Sequence, residues 1–231
     1  MIPLHDDNPT TIKPYVTITL IASCSLVFLW QLSLGFGGER VIFSLGIIPS
    51  VLLGSKVLAP SLVMVPPAIT IFTSMFLYGG WMHLIGDMLY LWIFGNNVED
   101  AMGHGRFVVF YLLCGVAAVF AQVLPDTGST TPMIGASGAI SGVLGAYLLL
   151  YPHTKVLVAI PLFFYIHTMP LSAAWVLGFW FAMQLLSNIL ASGQQGGVAF
   201  RAHLGGFIIG MLLIPLFKHK TVRLVFPGKR N

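Results

Sequence analysis

Six stretches of this chain are apolar for long enough to cross a bilayer, which restricts its fold more than any other feature. They cover residues 15–34, 82–98, 106–124, 134–151, 171–191 and 202–218. A spanning helix needs about twenty mostly apolar residues, and in hydrocarbon its backbone polar groups must be satisfied within the segment itself. Composition agrees: of 231 residues 57% are hydrophobic and 8% charged, with a mean hydropathy of +0.90. Soluble domains are nearer a quarter charged. The expected fold class is an all-α polytopic membrane protein, a bundle of six transmembrane helices.

Between the first two spans lies a long connection, 35–81, too apolar for an ordinary solvent loop. Its stretch "IIPSVLLGSKVLAPSLVMVPP" carries Pro49, Pro60, Pro66 and Pro67, which interrupt a continuous helix. A partly membrane-associated or re-entrant loop is expected over a seventh, poorly formed span. At the N-terminus, residues 1–14 hold Lys13 against Asp6 and Asp7, a poor signal-peptide n-region. "IASC" (Ile21–Cys24) loosely resembles a lipoprotein cleavage site, but the apolar run continues to Leu34, so an uncleaved first span is expected. Cys24 and Cys114 both lie in apolar runs, as buried inert thiols rather than a disulfide framework or metal-ligand spacing.

With six spans, both termini share one side. Lys13, Arg106, Lys155, Lys218, Lys220, Arg223, Lys229 and Arg230 gather there, against Arg40, Lys56 and Arg201 on the other. The positive-inside bias makes the first side cytoplasmic. The expected organisation is a cytoplasmic tail over 1–14, a six-span domain over 15–218 and a basic cytoplasmic tail over 219–231. The net charge of +4 gives no reason to expect nucleic acid.

The fourth span opens "MIGASGAISGVLGAYL". At helical spacing Ser137, Ser141 and Gly145 form one small-residue ridge, and Gly138, Gly142 and Ala146 the next. Such ridges let another helix approach at backbone distance. The sixth span supplies a complement in "AHLGGFIIGM", where Gly206 and Gly210 make a GxxxG ridge that Ala202 extends. Packing there alone explains the serine and glycines. But these two helices, packed together, carry Ser137 and His203 at the same outer level, and a histidine at matched depth is a candidate general base for a serine nucleophile.

These segments, with "GGWMHLIGDMLYLWIFGNNVED" in the second span, resemble the rhomboid family of intramembrane serine proteases over nearly the whole chain. The resemblance implies a six-helix bundle around an outward-opening, water-filled cavity. A Ser–His dyad without an acidic third member would cleave transmembrane helices of other proteins. It assigns Ser137 as nucleophile, His203 as base, and His83 with the Ser137 backbone N–H as oxyanion-hole donors. It calls for no cofactor and no metal. The partners it implies are single-span membrane proteins and the lipid bilayer, and the compact form suggests a prokaryotic inner membrane. Ser141 is expected to help line the cavity.

Two positions depart from the family pattern. Where the family usually has asparagine, four residues after His83, this chain has Asp87. Three outcomes are open: a protonated Asp87 donates one hydrogen bond; an ionised Asp87 pairs with His83, since i and i+4 share a helix face; or the oxyanion hole is crippled. His83 and Asp87 are too few for a metal site. Tyr78 stands where the family often carries histidine, as a changed supporting contact or an interfacial aromatic. The family's Trp–Arg pair in the first loop is not recognisable, and Arg40 is no substitute. His5, His104, His153, His167 and His219 read as tail and loop residues. Glu99, Asp100, His104 and Arg106 read as the cytoplasmic cap and turn after the second span. Two rivals remain: a non-proteolytic rhomboid-like helix binder, motivated by Asp87 and Tyr78, and a transporter. The transporter is disfavoured because Asp87 is the only acid well inside a span and no repeat relates the halves.

Overall fold

The structure, a computed structural model, describes residues 1–162, 164–190 and 199–225. The chain begins with a strand, β1 (Ile2–Asp6), and enters helix α1 (Tyr15–Ser33). The connection that follows is short helices rather than open loop: α2 (Gly37–Leu45), α3 (Pro49–Leu52), single turns at Pro60–Leu62 and Pro67–Ile69, and α4 (Thr70–Thr73) running into a turn at Ser74–Phe76. The prolines start these pieces, as a residue lacking an N–H suits a helix's first turn.

A continuous rod comes next: α5 (Trp81–Tyr90), a π turn at Leu91–Gly95 and α6 (Asn96–Met102). Then come α7 (His104–Val123), α8 (Ser137–Leu150), the hairpin β2 (Lys155–Leu162) and β3 (Tyr165–Ser172), α9 (Ala173–Leu190) and α10 (Phe200–Phe217). Of these, α1, α7 with its extension to Asp126, α9 and α10 are long and apolar enough to cross a membrane. The rod adds a further apolar helix, bent by 80° from the Pro60–Phe76 segment before it, and α8 is shorter. The chain is an integral membrane protein. Its outer surface is apolar, with Leu26, Leu29, Phe179, Met183 and Ile189 exposed on α1 and α9, as lipid-facing helices require.

Helix α8 sits at the centre, nearly all its residues buried, packed mainly against α10 and α7. The expected glycine ridges make this possible. A Cβ at Gly206 would collide with the Gly138 carbonyl, and one at Gly210 with the Gly142 carbonyl. Gly142 also lies under Cys114 of α7, where a Cβ would come 2.5 Å from the sulfur. Both cysteines are free and buried.

Three expectations need correcting. The chain is not all-α: β1, β2 and β3 form an antiparallel sheet in that order, pairing Ile2 with Ala159 and Lys155 with Ser172. In β2 the buried Val156 and Val158 flank an exposed Leu157, whereas β3 is exposed over most of its length. The β2 alternation is hidden in the sequence because Leu157, on the outward side, is apolar too. Second, the second span's helix runs past residue 98 to Met102, since its polar end is buried against the N-terminal segment. Third, Glu99 and Asp100 lie within α6 and bind the N-terminal segment rather than only capping the turn after the second span, while His104, exposed, begins α7. Glu99 is fully buried and accepts from Val16 N (2.9 Å), Thr17 N (2.8 Å) and the Thr17 hydroxyl (2.7 Å). It also meets His104 Nδ1 at 2.6 Å. Asp100 accepts from Thr11 and Ile12. The first N–H groups of α1 have no intrahelical acceptor, and Glu99 supplies one, while Asp100 holds the segment just before the helix.

The same pole gathers Asp6, held by Asn97 Nδ2 (2.9 Å) and the Tyr147 hydroxyl (2.5 Å). The chain after α10 returns to it, His219 N to Ala101 O and Val225 N to Leu149 O. Lys229, Arg230 and position 191 of the fifth span lie outside the described residues.

Candidate active site

At the opposite pole, α8 starts at Ser137. The segment before it is fixed by Gly135 N bonding Ser74 O (2.9 Å) and by a bridge between Ile47 and Met133. Helix α10 begins at Phe200, and Gln122 of α7 accepts from Ala202 N at 3.3 Å, occupying one of the orphan donors of its first turn. Its next residue, His203, is buried. The glycine contacts hold the two helix starts level, and His203 Nε2 lies 2.8 Å from Ser137 Oγ. Two residues separated by 66 positions in sequence are thus in hydrogen-bond contact.

His83, on the first turn of α5, completes a third wall. A Cβ on Gly135 would stand 2.7 Å from His83 Nε2 and 3.8 Å from Ser137 Oγ. Gly135 has φ +112°, a conformation that side-chain-bearing residues avoid. Glycine is required here for both reasons, and it brings the imidazole edge over the approach to the serine. Beside these residues is a recess of about 20 Å³ lined by Ser74, Ile134, Gly135, Ser137, Ala199 and Ala202 among others, room for roughly one water molecule.

Asp87 lies on the same face as His83, its Oδ2 3.8 Å from His83 Nε2. That is ion-pair range but too long for a hydrogen bond. This oxygen and the Tyr78 hydroxyl are both buried without a hydrogen-bond partner among the described residues. Tyr78 is a supporting contact, not an interfacial aromatic: it is 1% exposed and packs edge-on against His83 at 5.0 Å. Gln31 holds its backbone through both N–H and carbonyl.

Two details depart from the sequence reading. Ser141 does not line the recess; it is buried and donates to the Ser137 carbonyl at 2.6 Å. And His203 has a partner that sequence reasoning missed: Gln184 of α9, whose Oε1 lies 2.9 Å from His203 Nδ1. Trp180, one turn earlier, packs its ring near the imidazole at 6.1 Å. The signal for Gln184 was available as an amide interrupting the apolar run 173–183. Among the described residues no three of His, Cys, Asp and Glu come together as a metal-holding group.

Fold and site define a polytopic membrane protein with a hydrogen-bonded Ser–His pair inside a helix bundle, beside a second histidine. The chain belongs to the rhomboid family: the Rhomboid domain model matches residues 67–220. It is 32% identical over 149 residues to the mitochondrial rhomboid protein 1 of Saccharomyces cerevisiae, covering 62% of this chain and 40% of that one. It is 34% identical over 145 residues to the rhomboid protease GluP of Bacillus subtilis, covering 61% and 25% respectively. With the mitochondrial presenilin-associated rhomboid-like protein of Bos taurus it shares 29% over 150 residues, 61% of this chain and 36% of that one. The matched region thus spans less than half the length of each of these relatives. They are mitochondrial as well as bacterial, and so give no preference for a prokaryotic inner membrane.

Proposed function

We propose that this chain is an intramembrane serine endopeptidase that cuts transmembrane segments of single-span membrane proteins. The observation that carries the reading is the 2.8 Å contact between Ser137 Oγ and His203 Nε2. His203 takes the hydroxyl proton as Ser137 attacks the scissile carbonyl, then gives it to the leaving amine as the peptide C–N bond breaks. Water, activated by the same nitrogen, hydrolyses the acyl-enzyme and frees the serine. The tetrahedral oxyanion would be met by the Ser137 N–H, at a helix N-terminus where the dipole favours negative charge, and by His83. Asp87 belongs to this third wall by position. The glycine and alanine lining of the recess suits a small side chain at the cut.

In this reading α1, the α5–α6 rod, α7, α8, α9 and α10 are six spans, with residues 15–218 as the protease domain. The short α8 is shielded from lipid by its neighbours. The pole holding β1, Lys155 and the chain from His219 to Val225 faces the cytoplasm, and the site opens on the other side. The test is cleavage of a helix-destabilised, single-span substrate in proteoliposomes by wild type, Ser137→Ala and His203→Ala. Each variant is expected to lose at least roughly a thousandfold in rate, and unchanged cleavage in either overturns the proposal.

Asp87 beside His83 favours a second reading, a non-proteolytic binder of transmembrane helices. Labelling of wild type but not Ser137→Ala by a serine-directed fluorophosphonate excludes it.

A further inference from the structure

The contact between Gln184 and His203 carries a consequence for the chemistry. The group facing His203 Nδ1 is an amide oxygen at 2.9 Å, which accepts and cannot donate. The contact is a hydrogen bond only when Nδ1 carries the proton. In the neutral ring, Nε2 then presents its lone pair, and it is Nε2 that faces Ser137 Oγ. The opposite tautomer would leave two lone pairs opposed at Gln184 and no acceptor for the serine proton. We infer that Gln184 is a positioning residue that selects the Nδ1–H tautomer of His203, so that the serine–histidine pair is completed by a neutral third member. The inference rests on the protease reading. An amide suits this depth, because an ionised acid inside the bilayer carries a large desolvation cost that a neutral acceptor avoids.

The surroundings of His203 allow a clean test. From α8 it meets Ser137; from α7, the neutral Gln122 lies at the neighbouring Ala202 N; from α9 it meets Gln184 and Trp180. The ionisable groups nearby are His83 on α5, with Asp87 3.8 Å behind it, and Arg201 on its own helix. Substitution at 184 leaves all three in place. Gln184 is half-buried on α9, whose exposed surface is apolar, so leucine is readily carried there, and a glutamate is of the same size with its carboxylate able to pair with the His203 imidazolium.

Gln184→Leu removes the acceptor. Gln184→Glu keeps the shape and adds a carboxylate, which stabilises the imidazolium. Because His203 works as a base in its neutral form, the glutamate variant should move the acid limb of kcat/KM to higher pH and retain near-normal kcat above it. The leucine variant should move that limb to lower pH and lose roughly ten- to a hundredfold in kcat, with KM little changed. The experiment measures these profiles in proteoliposomes, together with 15N spectra of histidine-labelled protein. Wild-type His203 is expected to show a pyrrole-like Nδ1 and a pyridine-like Nε2, and Gln184→Leu an averaged pair. Unchanged kcat, pH profile and ring shifts in both variants overturn the inference and leave the protease reading standing. So does an Nε2–H tautomer in wild type, or an equal loss in both variants at every pH. Failure of wild type to cleave at all overturns the protease reading instead, and the nitrogen shifts still decide the tautomer.

Discussion

At the scale of the residue, Asp87 is the point where charge bears on the proposed reaction. Its Oδ2 is buried, without a hydrogen-bond partner among the described residues, 3.8 Å from the nitrogen of His83 that overlies Gly135. An ionised carboxylate there repels the charge that develops on the substrate oxygen. Asparagine keeps the shape and offers a donor. Asp87→Asn is therefore expected to raise kcat/KM in the pH range where Asp87 is ionised, by roughly tenfold for each 1.4 kcal/mol removed, and so to flatten the alkaline side of the pH–rate profile. Profiles of identical shape in the two proteins would refute a titrating role. At this same scale Ser137, His203 and His83 were legible in the sequence because each sits in a motif on its own span. Gln184 was not: its role depends on the rotation of α9 relative to α10, which no local pattern of an apolar helix encodes.

At the scale of the element, the site stands on how closely α8 and α10 approach. The glycine ridges predicted that approach, and the Gly206 and Gly210 contacts with facing carbonyls show how little space is left. Gly206→Val would have to separate the helices by the width of a side chain, with an overpacking cost of about 1–3 kcal/mol or more. It is expected to abolish cleavage and lower the unfolding midpoint. Gly86→Ala, on α5 where nothing lies within 4 Å of the added carbon, should leave both unchanged. Parallel substrate assays and denaturant titrations in detergent check the contrast. The sheet was the element sequence reasoning left as a connection. Val156, Leu157 and Val158 of β2 alternate in burial but not in polarity, and binary patterning reads polarity.

At the scale of the whole molecule, the two poles have different chemistry. The site pole is built from helix starts and small residues. The other is tied by carboxylates and amides that join segments far apart in sequence: Asp6 to Tyr147 and Asn97, Asn8 to Asn97, Glu99 to the start of α1. Burial raises the Asp6 pKa above its ordinary value of 3.8, against the opposing hydrogen bond from Tyr147. A carboxyl with a raised folded-state pKa favours the fold most in its protonated form. Its contribution is full below the ordinary aspartate value and falls as pH climbs through the folded one. Asp6→Asn should remove this dependence while its carbonyl oxygen keeps the Tyr147 and Asn97 bonds. Unfolding midpoints of the two proteins should therefore converge at acid pH, with the variant more stable at neutral pH. Parallel curves across the range would contradict the assignment.

What the sequence determined by itself was the solvent and the candidates. Long apolar runs demand a bilayer, small-residue ridges demand close helices, and a serine and a histidine at matched depth define a possible reaction. Those are properties of one segment or of two segments compared by depth. The tertiary structure decided which atoms meet: Nε2 of His203 on Ser137 and Nδ1 on Gln184, the imidazole of His83 over Gly135, Ser141 turned back on its own helix, and Glu99 on α1. Each depends on the rotation and translation of one element against another. Those displacements are set by packing summed over whole helix faces, whereas hydrogen-bond chemistry is decided within a few tenths of an ångström.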